Sequence, residues 1–329
     1  MIASKFSRDK VEGQSNRDHS PIPPSGQHPR EARQRGPLGF LIFGIVLVAA
    51  FSKPLFSLAV YAAGEALHSH ILLIPFVSAY LIYIRRDALP RDYTFSVGWA
   101  MIPLITGAIS LAAAWTPGVF GQPLSQNDYL TLMALSFVCF FAAGGFCFLG
   151  RKWMAAAAFP FAFLIFMVPM PDRVADFLET ASKLASADAA SMFFNISGTP
   201  VLRDGAFFHL PNITIEVAQE CSGIRSSLVL FITSLLAANL FLKTPWRRIV
   251  LVAAVIPLGI LRNGLRIVFI GLLCVHFGPD MINSIFHKRG GPPFFVLSLI
   301  PLFLLLWWLR RGEGSRPADR GPGKANVNR

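Results

Sequence analysis

The run YLTLMALSFVCFFAAGGFCFL, from Tyr129 to Leu149, decides the class of fold. It holds no charged residue and keeps no polar face, so it does not suit a helix lying half-exposed on a soluble core. A helix crosses the hydrocarbon of a bilayer with roughly 17–25 residues of this kind. Outward from it, apolar runs lie at about 37–62, 70–84, 96–115, 153–169, 223–242, 249–272 and 293–309. The runs at 70–84 and 153–169 are short and borrow flanking residues. Lys53 interrupts the first run, which reads as one span or as a shorter helix followed by an interfacial piece. The expectation is an all-α polytopic membrane protein with about eight transmembrane helices.

Composition agrees. Of 329 residues 53% are hydrophobic and only 15% are charged, against about a quarter charged in soluble domains. The mean hydropathy is +0.53. The net charge is +12, which in a soluble chain would raise nucleic-acid binding. Here the basic residues flank apolar runs, so they report topology and no nucleic-acid partner is expected. With the N-terminus cytoplasmic, 21 of the 30 Lys and Arg fall in cytoplasmic segments, among them Arg85, Arg86, Arg151, Lys152, Lys243, Arg247, Arg248, Arg310 and Arg311. Both termini are therefore expected in the cytoplasm. Residues 1–36 and 312–329 read as disordered basic tails around a membrane-embedded domain at 37–311. The four cysteines, at 139, 147, 221 and 274, have no metal-ligand spacing and no disulfide framework. No metal or cofactor is expected.

The segment 170–222 is the one large extracytoplasmic insert. Val174, Phe177, Leu178, Ala181, Leu184, Ala185, Ala189 and Met192 recur at helical spacing, with Asp172, Asp176, Glu179 and Lys183 opposite. That pattern predicts a helix lying along the membrane surface, with Asp188 as the discordant residue. From Val201 to Val217 the pattern becomes extended, and two short strands around Pro211-Asn212 are expected.

Three places carry chemistry. Cys221 lies in Glu220-Cys221-Ser222-Gly223-Ile224-Arg225 at the outer mouth of the sixth span, where a helix start and Arg225 favour a thiolate. The plain alternative is a cysteine that happens to sit at a boundary. The seventh span carries Arg262-Asn263-Gly264-Leu265-Arg266. At about 1.5 Å per residue both arginines reach the outer part of the bilayer core, and an arginine within a span marks function by default. Snorkelling to the headgroups, or a buried pair with Glu216 or Glu220, are the structural alternatives. His287 precedes the eighth span in a loop, where a histidine is usually solvated. Charge counting nevertheless puts Cys221, Arg266 and His287 at one membrane face. A thiol, a guanidinium and an imidazole are the parts of a cysteine acyl-transfer site.

These elements resemble the exosortase/archaeosortase family of membrane-embedded cysteine transpeptidases. Cys221-Ser222-Gly223-Ile224 is similar to its Cys-Ser-Gly-Ile element, Asn263-Gly264-Leu265-Arg266-Ile267 to its Asn-x-x-Arg-Ile element, and Phe286-His287 with Gly290 to its late histidine loop. His68-Ser69-His70 and Met167-Val168-Pro169-Met170-Pro171 are weaker points of likeness. The loop departs from the pattern at Lys288-Arg289, where an acidic residue or similar often follows the histidine. The resemblance implies Cys221 as nucleophile, Arg266 as oxyanion stabiliser and His287 as general acid/base, with Glu220, Ser222, Gly223, Arg225, Arg262 and Asn263 in support. It implies a bacterial inner-membrane enzyme whose active site faces the periplasm. Its substrates would be exported proteins bearing a C-terminal motif, a membrane helix and a basic cluster. The lipid bilayer and the machinery of extracellular polysaccharide synthesis are further implied partners. A transporter using the two arginines for an anionic solute, and a non-catalytic factor of envelope polysaccharide assembly, are the rival readings. The first should show broken helices in two similar halves, and no such repeat is seen.

Overall fold

The computed structural model describes residues 28–65, 67–116, 124–210, 213–217, 223–278 and 291–314. The chain opens with α1 (His28–Ala50) and α2 (Ser52–Gly64), bent by 71° where they meet. Pro54 has no N–H to offer the Ala50 carbonyl, so the helix cannot run straight through. A 3-10 turn at Ser69–Leu73 leads into α3 (Ile74–Ile84). Next come α4 (Val97–Trp115) and α5 (Gln126–Phe148). A broken stretch follows, made of α6 (Arg151–Ala156), α7 (Ala158–Phe163) and a 3-10 turn to Met167. Pro160 cannot bond the Ala156 carbonyl, which accounts for the break.

Among the described residues, five helical stretches are long and apolar enough to cross a bilayer: Val97–Trp115, Gln126–Phe148, Ile224–Phe241, Pro245–Phe277 and Pro293–Glu313. The bent α1–α2 pair makes a sixth if it counts as one span, and the 70–84 and 153–169 runs form the shorter apolar helices Ser69–Ile84 and Ala158–Met167. The protein is thus all-α in its membrane part and polytopic.

Small residues and hydroxyls bring the apolar helices together, as membrane packing requires. Ser110 of α4 donates to the Leu132 carbonyl at 2.8 Å, and Ser136 of α5 donates to the Gly107 carbonyl at 2.9 Å. A Cβ on Gly107 would meet the Phe140 ring at 3.0 Å, so α4 and α5 touch there at glycine distance.

The second half holds α8 (Asp172–Ile196), a three-stranded sheet, α9 (Ile224–Phe241), α10 (Pro245–Ala253), α11 (Val255–Phe277) and α12 (Gly291–Gly314). The break before α11 falls at Ala254, one turn ahead of Pro257, which has no N–H for the α10 carbonyl four residues back. α11 continues unbroken through Gly264, so that glycine makes no kink in the seventh span. Together α10 and α11 cover 33 residues, about 50 Å at 1.5 Å per residue. The hydrocarbon core is about 30 Å thick, so the pair, from Pro245 to the far end of α11 at Phe277, is longer than that core.

That far end carries the insert. Antiparallel strands β1 (Leu202–Asp204), β2 (Phe207–Leu210) and β3 (Ile213–Glu216) lie in the order β1-β2-β3. The expectation of two strands is corrected to three. β1 escapes the pattern because it has only three residues and both Leu202 and Asp204 are exposed. Gly205, at φ +57°, makes the tight turn into β2. Phe208, Leu210, Ile215 and Val217 point inward onto Ile267, Val268, Ile270 and Cys274 of α11 and onto Ala187, Ala190 and Phe194 of α8. Arg203 of β1 pairs with Asp188 of α8, which explains the discordant aspartate.

Helix α8 faces α11 with its small side chains. Ser186, Ala187, Ala190 and Phe194 are buried, and a Cβ on Gly264 would lie 2.8 Å from that of Ala189. The strongly apolar residues Val174, Phe177, Leu178, Leu184 and Met192 remain exposed. That outer stripe is the one read as membrane-facing.

At the opposite end the basic residues gather. Arg85 donates to the Asn239 carbonyl, Arg248 to that of Leu242, and Arg247 to those of Leu309 and Gly312. Glu313 accepts the backbone N–H groups of Lys243 and Thr244. Leu230, Leu242, Leu251, Leu302, Leu306 and Leu309 form the core beneath them.

Candidate active site

Residues Glu220, Cys221, Ser222 and His287 lie outside the described residues. The turn that follows the cysteine is described. Gly223 opens α9 in the left-handed region, at φ +73° and ψ 5°. A side chain is strained there, and there is no room for one. A Cβ would lie 3.0 Å from Asn263 Cγ and 3.1 Å from Arg262 Nη2.

The facing residues sit midway along α11, and three in succession serve three neighbours. Arg262, buried to 6% exposure, donates from Nη2 to the Gly223 carbonyl at 3.1 Å and to Ser227 Oγ at 3.3 Å. Its Nη1 is buried with no hydrogen-bond partner among the described residues. Asn263, also buried, backs the Gly223 turn. Gly264 lets α8 close in at Ala189 and Ala190. One turn earlier Gly259 allows Ser227 to approach, with Oγ 2.7 Å from where a Cβ would stand.

Of the supporting residues read from the sequence, Gly223, Arg262 and Asn263 come together. Arg266 lies one helical turn farther along α11 and is half-buried, while Arg225 is exposed on α9. Glu216 pairs with Lys183 at 3.5 Å. It is not the partner of Arg262, whose hydrogen bonds go to a carbonyl and a hydroxyl.

A second polar assembly was not expected from the sequence. At the start of α5, Asn127 Nδ2 donates to the Met170 carbonyl and to Asp172 Oδ1, both at 2.7 Å. Ser125 donates to Asp172 Oδ2 and also caps α5 by accepting from the Asp128 N–H. Asp128 accepts from the Asp172 N–H at 3.0 Å, and Thr131 donates to the Pro169 carbonyl at 3.2 Å. These bonds fix the Met167–Pro171 segment and the first turn of α8. Ser125-Gln126-Asn127-Asp128 just before an apolar run was the available signal.

His68 lies close by in the fold, 5% exposed, its ring 5.3 Å from that of Tyr61. Neither ring nitrogen has a hydrogen-bond partner among the described residues. Burial pushes its imidazole below the usual histidine value, against the upward pull of Glu65 and Asp172. The neighbouring core joins Ile71, Leu58 and Met167 to Ile232, with Leu228 of α9 packed against it. Among the described residues, no three His, Cys, Asp or Glu side chains gather in a metal-binding group.

Apolar helices of spanning length, a small sheet held at the end of the longest, and a buried arginine against the Gly223 start of α9 define a multi-pass membrane protein with a polar contact between α9 and α11. Residues 62–304, well over half of the chain, match the family model described as Transmembrane exosortase. The chain belongs to the transmembrane exosortase family, a family of cysteine-peptidase type with a general role in membrane transpeptidation and protein sorting. Membership implies exported proteins as substrates and a lipid environment. No curated protein and no solved structure matches the chain.

Proposed function

We propose that the chain is a cysteine transpeptidase that cleaves the C-terminal sorting signal of exported proteins and passes them to an envelope acceptor. The observation that carries this is the contact of Gly223 with Arg262 and Asn263, because it ties the turn after Cys221 to the arginine-bearing helix. Chain connectivity alone keeps the Cys221 and Gly223 Cα atoms within about 7 Å. A guanidinium close to a cysteine favours its thiolate over the thiol.

In this reading the Cys221 thiolate attacks the carbonyl carbon of the scissile peptide. Arg266 stabilises the tetrahedral oxyanion, and His287 protonates the amine of the departing C-terminal segment. The resulting thioester is attacked by an acceptor nucleophile, which gives up its proton to His287 as Cys221 leaves. Arg262 holds the nucleophile's turn, with Asn263 and Gly223 packed beneath it. The excess of Lys and Arg at the opposite end makes that end cytoplasmic and turns the site toward the periplasm of a bacterial inner membrane.

The test is trapping. Wild type and Cys221→Ala are each expressed with a tagged exported protein from the same cell. Processing and a hydroxylamine-sensitive adduct are expected with wild type alone. Normal processing by Cys221→Ala would remove the assignment and return the span-seven arginines to a transport or scaffold role.

A further inference from the structure

At the basic end, away from this site, Trp246 and Arg247 of α10 and Trp308, Leu309, Arg311 and Gly312 of α12 enclose a recess of about 400 Å³. We propose that it holds the phosphate headgroup of an anionic phospholipid from the adjoining leaflet. None of the lining residues is acidic. Glu313 accepts the backbone N–H groups of Lys243 and Thr244, and its single charge, which reaches Arg247, is outnumbered by the guanidinium groups of Arg247 and Arg311. The charge in the recess is therefore positive, and Lys243, Arg248 and Arg310 add to it from the same end.

The guanidinium groups are held in place before any ligand arrives. Arg247 is fixed by its bonds to the Leu309 and Gly312 carbonyls at 2.7 and 2.9 Å and lies 5.3 Å from the Trp246 ring. Arg311 stacks on Trp307 at 3.7 Å. A planar cation so ordered loses little freedom on meeting a phosphate.

What makes the occupant a lipid is the setting. Trp246 and Trp308 are 52% and 64% exposed, and indoles at a helix end sit at headgroup level. Next to the recess, Ile249 of α10 and Ile300 and Leu304 of α12 are exposed apolar residues on spanning helices. Acyl chains can lie along them while the phosphate sits between the arginines. Basic pockets between helices on this side of a membrane take such headgroups.

The test titrates dioleoyl phosphatidylglycerol, dioleoyl phosphatidylcholine or inorganic phosphate into the detergent-solubilised full chain and reads binding from the thermal shift. Phosphatidylglycerol is expected to stabilise wild type, with phosphatidylcholine and free phosphate far weaker. Arg311→Gln should weaken phosphatidylglycerol about fivefold, the effect of one basic residue at an anionic membrane surface, and Trp308→Ala should also weaken it. The distant Arg86→Gln should bind as wild type does. The lipid-free melting temperature separates a binding defect from a folding defect. Equal binding of the two lipids, or unchanged affinity in Arg311→Gln, overturns the proposal. An equal response to phosphate alone assigns the recess to a soluble anion and overturns it as well.

Discussion

Arg262 lies 3.1 Å from the carbonyl oxygen of Gly223, and the same Nη2 reaches Ser227 Oγ at 3.3 Å. One guanidinium group thus joins the middle of α11 to both the start and the first turn of α9. Snorkelling does not describe this arginine, since it is buried and its hydrogen bonds stay within the protein. It acts on Gly223, two positions after the proposed nucleophile, and it does so through the backbone of that residue.

Arg262→Met removes both bonds and leaves the Gly223 carbonyl without this donor, a loss of about 1–3 kcal/mol. Lower thermal stability in detergent and strongly reduced substrate processing are expected. A positioning role has a further signature. In a chain with Cys139, Cys147 and Cys274 replaced by alanine, the pH profile of maleimide labelling at Cys221 should move to higher pH. Arg262→Lys should recover part of the shift. An unmoved profile would reduce Arg262 to a purely structural tie.

Gly223→Ala tests the turn itself. The left-handed backbone costs an L-residue about 1–2 kcal/mol, and the added Cβ also presses on Asn263 and Arg262 at 3.0–3.1 Å. Gly205 has a similar φ of +57° but nothing within 4 Å of its Cβ position. Gly205→Ala should therefore carry the backbone cost alone and keep processing, while Gly223→Ala loses it. Equal loss in both would show that the contact with α11 is immaterial.

Gly264→Val pushes α8 away from α11, because even the Cβ would stand 2.8 Å from that of Ala189 and 3.1 Å from the Ala190 nitrogen. Overpacking of this kind costs about 1–3 kcal/mol. Protease sensitivity within α8 is the direct readout and should rise. Gly98→Ala in α4, which meets nothing within 4 Å and has no left-handed backbone, should leave α8 as protected as in wild type.

His68 makes stability depend on pH. Its folded value lies below the ordinary 6.5, chiefly through burial, so the unfolded chain takes up a proton first as pH falls. Stability should be constant above about pH 6.5 and decline below it until the folded imidazole also protonates. Thermal melts of wild type and His68→Phe between pH 7.5 and 5 should show a smaller decline in the variant. Parallel curves would mean that another group carries the effect.

Hydropathy revealed α4, α5, α9 and α12 because each is apolar along its whole length, a property local to the chain. The bend at Phe51 was half visible, through Lys53. The α10–α11 break at Ala254 was hidden within one continuous apolar run, and the lack of a side chain at Gly264 serves contact with α8. β1 was hidden by its three residues, half of whose pattern is set by the Arg203–Asp188 pair. At the site, the motif elements marked Gly223 and Asn263. The engagement of Arg262 with the Gly223 carbonyl joins residues 39 positions apart, and no spacing rule reaches that far. The burial of His68 and the Asn127–Asp172 assembly escaped for the same reason.

The packing of the insert onto α11 also bears on biosynthesis. The side chains of α8 and the sheet, residues 187–217, find their buried partners at Ile267 to Cys274, which the ribosome adds only after α9 and α10. Until then the insert lacks the α11 side of its core. Synthesis of the first spans and packing of the insert are therefore separate events in time, and a chain stalled before α11 holds α8 and the sheet without the helix that buries them.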